Sequence, residues 1–451
     1  MHGESCWRAS CLAVLMVAIL IAGCSEAGPS DPGTGGPTSV GRTPSDSRVI
    51  GPLDVRRSTV GGITTVENLS GSRWGGVAEL REEVSIGVDA GDDPYMFGSV
   101  GGMWATDENI YVADSRVPAV RVYDVEGVYL RDIGRQGQGP GEYERPARIA
   151  IADDGRIFLQ DGGETEVMIY TAGGEYIDTW GFSSTVRAGG GTMILSPSGV
   201  PHIMSLEYEI GPDGRPNIRG TSRSSFQALG PEGRAGAPIY LPKFDLEPAV
   251  LRAGNAVGSF LPVPYAPGVA TAFAPSGAVV GGTGDSYSFS IWNPDGSRTL
   301  VERYWDPVPV PPEERDYLES LYTKRMRRYN SGFSWNGPPV PDHKPAFLRF
   351  LPDYGNRVLV SRDGPSEYVE GCDEDPSQEQ VNNNQYEPCY PSTRTWDMFD
   401  LDGDYLGEIR GPIGQTVYQV FARGSTVLLA VEDEAGVIRV KRYRLVLPDE
   451  R

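Results

Sequence analysis

Cys372 and Cys389 are the residues whose spacing most directly suggests chemistry. They bracket a polar stretch, Asp373 to Pro388, with almost nothing apolar in it. In an exported chain an even pair of this kind reads as a disulfide. On the loop-entropy model such a bridge stabilises by about 3 kcal/mol. The alternative is a metal site, but no histidine lies nearby and the pair has no Cys-x-x-Cys spacing. The chain has three histidines, His2, His202 and His343. His2 falls in the leader described below, so a three-histidine metal centre is not available to the mature protein. His202 sits in an expected strand and His343 in a proline-rich turn, and both read as structural. Asp400-x-Asp402-Gly403-Asp404 has the acid spacing that opens a calcium loop, without the later glutamate. It also matches a plain hairpin turn elsewhere in the chain. Calcium is thus the one cofactor the acids allow, and no metal ligand or catalytic residue is assigned. The glycines from Gly134 to Gly141 are not a phosphate loop, since no Gly-Lys-Ser/Thr follows.

These groups sit in a chain of 451 residues with 58 glycines, 37 prolines and a formal net charge of −21. That composition, with little helical periodicity, favours short strands and many turns. The acidic balance repels phosphate backbones and excludes general nucleic-acid binding. Leu12 to Ala22 is an uncharged apolar run too short to span a bilayer, which reads as the core of a signal peptide. It ends in Leu20-Ile21-Ala22-Gly23-Cys24, which resembles the lipobox of bacterial lipoproteins. The resemblance implies cleavage after residue 23, lipidation of Cys24 and a place in the cell envelope, anchored to a membrane. Residues 24–73, rich in Gly, Ser, Pro and Thr, read as a flexible tether.

The remaining chain repeats itself. Ile110-Tyr111-Val112-Ala113-Asp114 is followed by Val120 to Tyr123 and then Gly127. Ile157-Phe158-Leu159-Gln160-Asp161 is followed by Val167 to Tyr170 and then Gly174. The two match without a gap at a shift of about 47 residues, a period that suits one four-stranded propeller blade. Gly127 and Gly174 occupy hairpin turns that need tolerance of positive φ. Asp114 and Asp161 each end a strand and are expected to bond backbone amides of the following turn. Hairpin echoes recur at Met398 to Tyr405 and at Ile291 to Gly296.

The stretch Gly134 to Tyr143, Pro146, and Ala150-Ile151-Ala152-Asp153-Asp154-Gly155-Arg156-Ile157-Phe158 resembles an NHL repeat. The whole resembles lipoprotein-type six-bladed propellers related to NHL proteins. The expected fold is therefore all-β, a six-bladed β-propeller over residues 74–447. Blades fall near 99–134, 146–181, 190–242, 268–305, 345–362 with 394–410, and 415–446. The last is completed by an early strand carrying Leu80, Val84 and Ile86, so that both chain ends close the ring. Two insertions interrupt it. One, at about 311–328, carries Tyr317, Leu318, Leu321 and Tyr322 at helical spacing and reads as a cap or packing helix. The other, at about 364–393, holds the cysteine pair. The leading function is binding of a protein, small molecule or glycan at a propeller face. The alternatives are a lactonase-like hydrolase or lyase with a carboxylate-bound cation in the channel, and a structural envelope scaffold. Fold alone does not choose among them.

Overall fold

The repeat is a pair of antiparallel four-stranded sheets. Blade one is Val100–Ala105, Asn109–Asp114, Ala119–Asp124 and Tyr129–Asp132. Blade two is Pro146–Ile151, Ile157–Asp161, Glu166–Tyr170 and Tyr176–Gly181. The middle strands are apolar on both sides and almost wholly buried. A blade packs against a neighbour on each face, so these strands lose the simple alternation of a half-exposed sheet. The computed structural model describes residues 49–450, apart from 163–165, 182–186, 189–192, 209–221, 255–258, 384, 413–415 and 434. The leader, Cys24, the first half of the expected tether, the loop around Gly211 to Gly214 and the run Gly189 to Gly191 lie outside the described residues.

Four further blades complete the ring. Blade three is built on Ile194–Leu195, Pro201–Tyr208, Ser222–Gly230 and the short edge pieces Gly233–Arg234 and Ile239–Tyr240. Blade four is Ala270–Phe273, Val279–Gly282, Ser288–Trp292 and Arg298–Arg303. Blade five is Arg349–Asp353, Arg357–Ser366, Ser392–Asp400 and Tyr405–Arg410. Blade six is Thr416–Arg423, Thr426–Glu432 and Ile438–Val446, with Ala78–Ile86 as its outermost strand, antiparallel to Ile438–Val446. The protein is thus a six-bladed β-propeller, closed by a strand from before blade one. Gly127, Gly174, Gly296 and Gly403 stand at equivalent hairpin turns with φ of +87°, +92°, +85° and +93°, a region that costs a Cβ-bearing residue strain.

The expected tether is corrected at its C-terminal end. Asp54–Val60 and Ile63–Ser70 form a hairpin whose second strand runs parallel to Arg298–Arg303 at the rim of blade four. The cause is a short alternation within a polar composition. Val66 and Asn68 point inward and are buried, while Thr65 and Glu67 alternate with them. The Asn68 side chain donates to Gly403 O at 3.0 Å and accepts from Tyr405 N at 2.9 Å. Residues 71–77 continue across the rim of blade five, where Arg73 N and Trp74 N donate to Tyr405 O and Leu406 O. Residues 54–86 are therefore a belt over blades four, five and six.

Antiparallel order within each blade puts the second turn of a blade and the linker to the next blade on one face of the ring. Three insertions share that face. Val250–Arg252 and Phe260–Pro262 form a hairpin between blades three and four. Helix α1, Pro312–Arg327, follows blade four, and the cysteine loop with helix α2, Gln378–Asn383, interrupts blade five. The hairpin, helix α1 and the segment after it share a small core of Leu251, Val263, Met326, Phe333 and Val340, with Leu318 and Tyr322 against it. The cysteine loop joins helix α1 through Lys324, which donates to Pro376 O, and through Tyr317, which accepts from Cys389 N and packs on the Tyr390 ring. Helix α1 has proline in its first turn, Glu313 and Glu314 there, and Lys324, Arg325 and Arg327 in its last, as the helix dipole favours. The expected cap is a three-part structure, and the Cys372–Cys389 disulfide closes its last part.

Candidate functional site

The innermost strands surround a cavity of about 260 Å³ on the axis of the ring. Its wall follows from the blade register. Ala105, Ile151 and Pro352 pair with Ile110, Ile157 and Val358 beside the first turns of blades one, two and five. Three residues earlier stand Gly102, Arg148 and Arg349, at one level of the channel. The same count gives Ala270 in blade four and Gln419 in blade six. Blades two and five are opposite members of a six-membered ring, so Arg148 and Arg349 stand on opposing walls. Arg394, from the third strand of blade five, also lines the cavity. Gly101 and Gly102 leave the wall of blade one bare. A Cβ there would come within 3 Å of Ala147 O, so these glycines are also what lets blades one and two approach.

The far end of the cavity is aromatic. Tyr354 lies 4.3 Å from Trp104 and 5.4 Å from Phe421 between ring centroids, and its hydroxyl reaches Met193 O of blade three at 3.4 Å. These rings come from the ends of innermost strands and the turn after one, on the face opposite the cap. The arginines come from the starts of strands, on the capped face. The cavity is a cup with a basic mouth and an aromatic floor.

Charge at the mouth is only partly offset. Arg394 lies 3.4 Å from Asp363 and donates to Ser361 Oγ at 3.4 Å. Among the described residues no carboxylate reaches ion-pair distance of Arg349. Burial lowers the Arg349 pKa, and the Arg394 charge adds to the effect. Burial alone lowers that of Arg148. A guanidinium does not lose its proton in this range, so these shifts report charges held where burial strips their hydration. Tyr418, also on the wall, donates to Glu432, and that bond, with burial, pushes its pKa up to about 12. Among the described lining residues there is no Asp, Glu or His. Among all described residues no cluster of three or more His, Cys, Asp or Glu is placed to hold a metal ion.

Two buried polar clusters flank the cup. Asp397 is fully buried between blades four and five. It accepts from Tyr287 and Tyr405 hydroxyls at 2.5 and 2.8 Å, and pairs with Arg303 at 2.8 Å and Arg362 at 3.0 Å. Burial pushes its carboxyl up, but the two guanidiniums outweigh that and hold it below the ordinary value. The cluster is closed to solvent and joins blades. Where the cap meets the ring, Lys344 Nζ donates to Gly364 O and Ser366 Oγ at 2.8 and 2.7 Å. Glu314 accepts from Tyr265 and Ser366 at 2.8 and 2.7 Å. This cluster fastens the start of helix α1 to blade five.

The sequence-derived candidates fall elsewhere. Asp114 accepts from Arg116 N and Val117 N in the following turn, and also from Gly98 N and Ser99 N before its own blade's first strand. Asp161 accepts from Glu144 N, Arg145 N and Gly162 N. The expectation of a following-turn cap therefore widens: Asp114 holds the following turn and the linker alike, and Asp161 mainly the linker. Asp400 accepts from Asp402 N and Asp404 N, and Asp404 is held by Arg57 and Arg73 of the belt. His202 is half-buried 5.2 Å from the Phe273 ring, with its pKa lowered by burial. His343 is exposed beside Asp342. None of these lines the cup. The cup arginines carry one signal in the sequence, an arginine three residues before Ile151 in blade two and three before Pro352 in blade five, the residues that match across the two first turns. It becomes visible only once the register is known.

A family model, DUF5128, described as a 6-bladed beta-propeller, matches residues 92–186. That segment holds blades one and two, where the repeat is regular. No curated protein matches the chain. Among solved structures, a member of the DUF4221 family from Bacteroides vulgatus is 10% identical with a TM-score of 0.43, covering 82% of this chain and 98% of that one. Virginiamycin B lyase from Staphylococcus aureus is 9% identical with a TM-score of 0.37, covering 80% and 98%. Regucalcin, a calcium-binding protein from Agrobacterium tumefaciens, is 10% identical with a TM-score of 0.35, covering 78% and 93%.

Proposed function

We propose that this protein is a lipid-anchored envelope module that binds a small ligand in the central cup of its propeller, entered from the capped face. The observation that carries the reading is the blind cup itself. Tyr354 and Phe421 line its aromatic end, with Trp104 packed against both, and Arg148, Arg349 and Arg394 line the end toward the insertions. Small-molecule sites are concave, with a few convergent polar groups on a rigid frame. The anchor rests on Leu20 to Cys24, and kinship with NHL-type lipoprotein propellers rests on the linker from Gly134 into Pro146. In this reading the protein acts by binding and carries no reaction of its own.

The test is a thermal-shift screen of small envelope metabolites on the mature protein, repeated on Gln419→Trp, which fills the mouth from blade six. Ligands that raise the midpoint of the wild type and not of the variant support the cup. Ligands that stabilise both equally bind elsewhere and overturn it. For the anchor, Cys24→Ala is expected to abolish lipid labelling and leave uncleaved precursor; persistent labelling overturns that part.

A further inference from the structure

The geometry points to an amphipathic organic anion as the ligand class, its acidic head clamped between Arg148 and Arg349 and its apolar body lying on the aromatic floor. This deepens the cup reading and rests on it. The clamp follows from register, because the two arginines occupy the same inner-strand position in opposite blades. Arg394 adds a third guanidinium at the mouth, with Asp363 as its carboxylate partner. A planar guanidinium presents paired donors that match a carboxylate or phosphate. The protein carries a net charge of −21, yet the described residues lining this cavity include three arginines and no acid. Local charge opposed to the global charge is what an anion site inside an acidic protein requires, since the surrounding field repels anions.

The other half of the inference comes from depth. Toward the first turns of the blades the lining changes to Met103, Met193, Phe421 and Tyr354, while Trp396 stands in the same row as Arg349. Water held against such a surface gains little, and a ligand with an apolar body displaces it favourably. A bare inorganic anion would fill the mouth and leave the floor unused. A neutral apolar compound would fill the floor and bring no charge to Arg349, which no carboxylate among the described residues approaches at ion-pair distance.

The experiment measures affinity of the mature protein by calorimetry for four probes: acetate, inorganic phosphate, 3-phenylpropionate and its neutral amide. The expected result is that 3-phenylpropionate binds at least about tenfold more tightly than each of the others. Arg349→Gln is expected to reduce its affinity to that of the amide. Arg349 is the variant of choice because no carboxylate among the described residues depends on it, and its fold is checked by the unchanged thermal midpoint of the unliganded protein. Equal binding of the carboxylate and the amide, lost together in Gln419→Trp, overturns the ligand class and leaves the cup standing. Tight binding of phosphate or acetate matching that of 3-phenylpropionate overturns the apolar half. Binding of 3-phenylpropionate that survives both Arg349→Gln and Gln419→Trp overturns the cup as well, as does no binding by any probe at 10 mM, roughly the weakest affinity that ~3 kcal/mol of interaction would give.

Discussion

Blades one and two differ from blades four and five in how they are held. The first pair are bare four-stranded sheets whose cohesion is apolar, with buried middle strands and aspartates tying each linker to its blade. Blades four and five are joined by a buried Arg–Asp–Tyr cluster, crossed at the rim by the belt, and covered on one face by the cap. The difference teaches where this ring needs extra fastening. A regular blade stacks on its neighbour through interdigitated apolar faces. A blade interrupted by long insertions cannot rely on its linkers to set that stacking, and here buried ion pairs and a strap from the other end of the chain take over.

The contrast is broken most severely at Asp397. Replacing it with alanine leaves Arg303 buried without its counter-charge and Arg362 with Glu408 alone, and is expected to cost about 3–5 kcal/mol in denaturant unfolding. A loss under 1 kcal/mol would mean that packing alone holds blades four and five. The same group gives a pH signature. Its folded pKa lies below the ordinary 3.8, so its contribution is fully present above 3.8 and is lost as pH falls from there through the lower folded pKa. Asp397→Asn is expected to flatten the wild-type fall in stability below about pH 4. An unchanged acid limb would remove Asp397 from the account.

The belt comes next. Asp404 is buried and takes both Arg57 and Arg73. Asp404→Ala is expected to cost about 1–3 kcal/mol and to raise hydrogen exchange over residues 54–70 and not over blades one and two. Uniform exchange changes would show that the belt is no separate fastening. For the cap, Cys372→Ser with Cys389→Ser opens a loop of sequence separation 17. Proteolysis between 367 and 391 is expected to accelerate strongly. The ring's midpoint is expected to move by less than about 1 kcal/mol in equivalent stability, since the loop can open without its blade. Loss of the whole fold would make the cap part of the ring's cooperative unit.

The smallest effects compare two equivalent glycines. A Cβ on Gly127 would lie 2.8 Å from Val84 Cγ1 on the closing strand, whereas one on Gly174 meets nothing nearer than 3.5 Å. Both carry positive φ. Gly174→Ala is expected to cost about 1 kcal/mol from backbone strain alone, and Gly127→Ala about 1 kcal/mol more from the contact. Equal costs would mean that the closing strand yields freely at that turn.

Much of this architecture was legible in the residues, because its determinants are local. Hairpin turns with Asp-Gly or Glu-Gly, strands of period two and a period near 47 residues announce a blade wherever the blade is regular. The disulfide pairing needed only two cysteines in a polar loop. The closing strand with Leu80, Val84 and Ile86 was readable because a ring of short sheets leaves an unpaired edge unless one end of the chain fills it. The hairpin at Asp54–Val60 and Ile63–Ser70 was not. Its composition is that of a linker, and it is ordered by parallel pairing with Arg298–Arg303, more than 200 residues away. The cup escaped for the same reason. Arg148, Arg349 and Arg394 lie far apart in the chain, each looks like an ordinary charged residue in a strand, and nothing short of the closed ring sets two of them face to face. Local sequence determines which strands and turns form, because backbone conformation and burial pattern are read over a few residues. The convergence of side chains on the axis is a property of ring closure, and only the tertiary structure decided it.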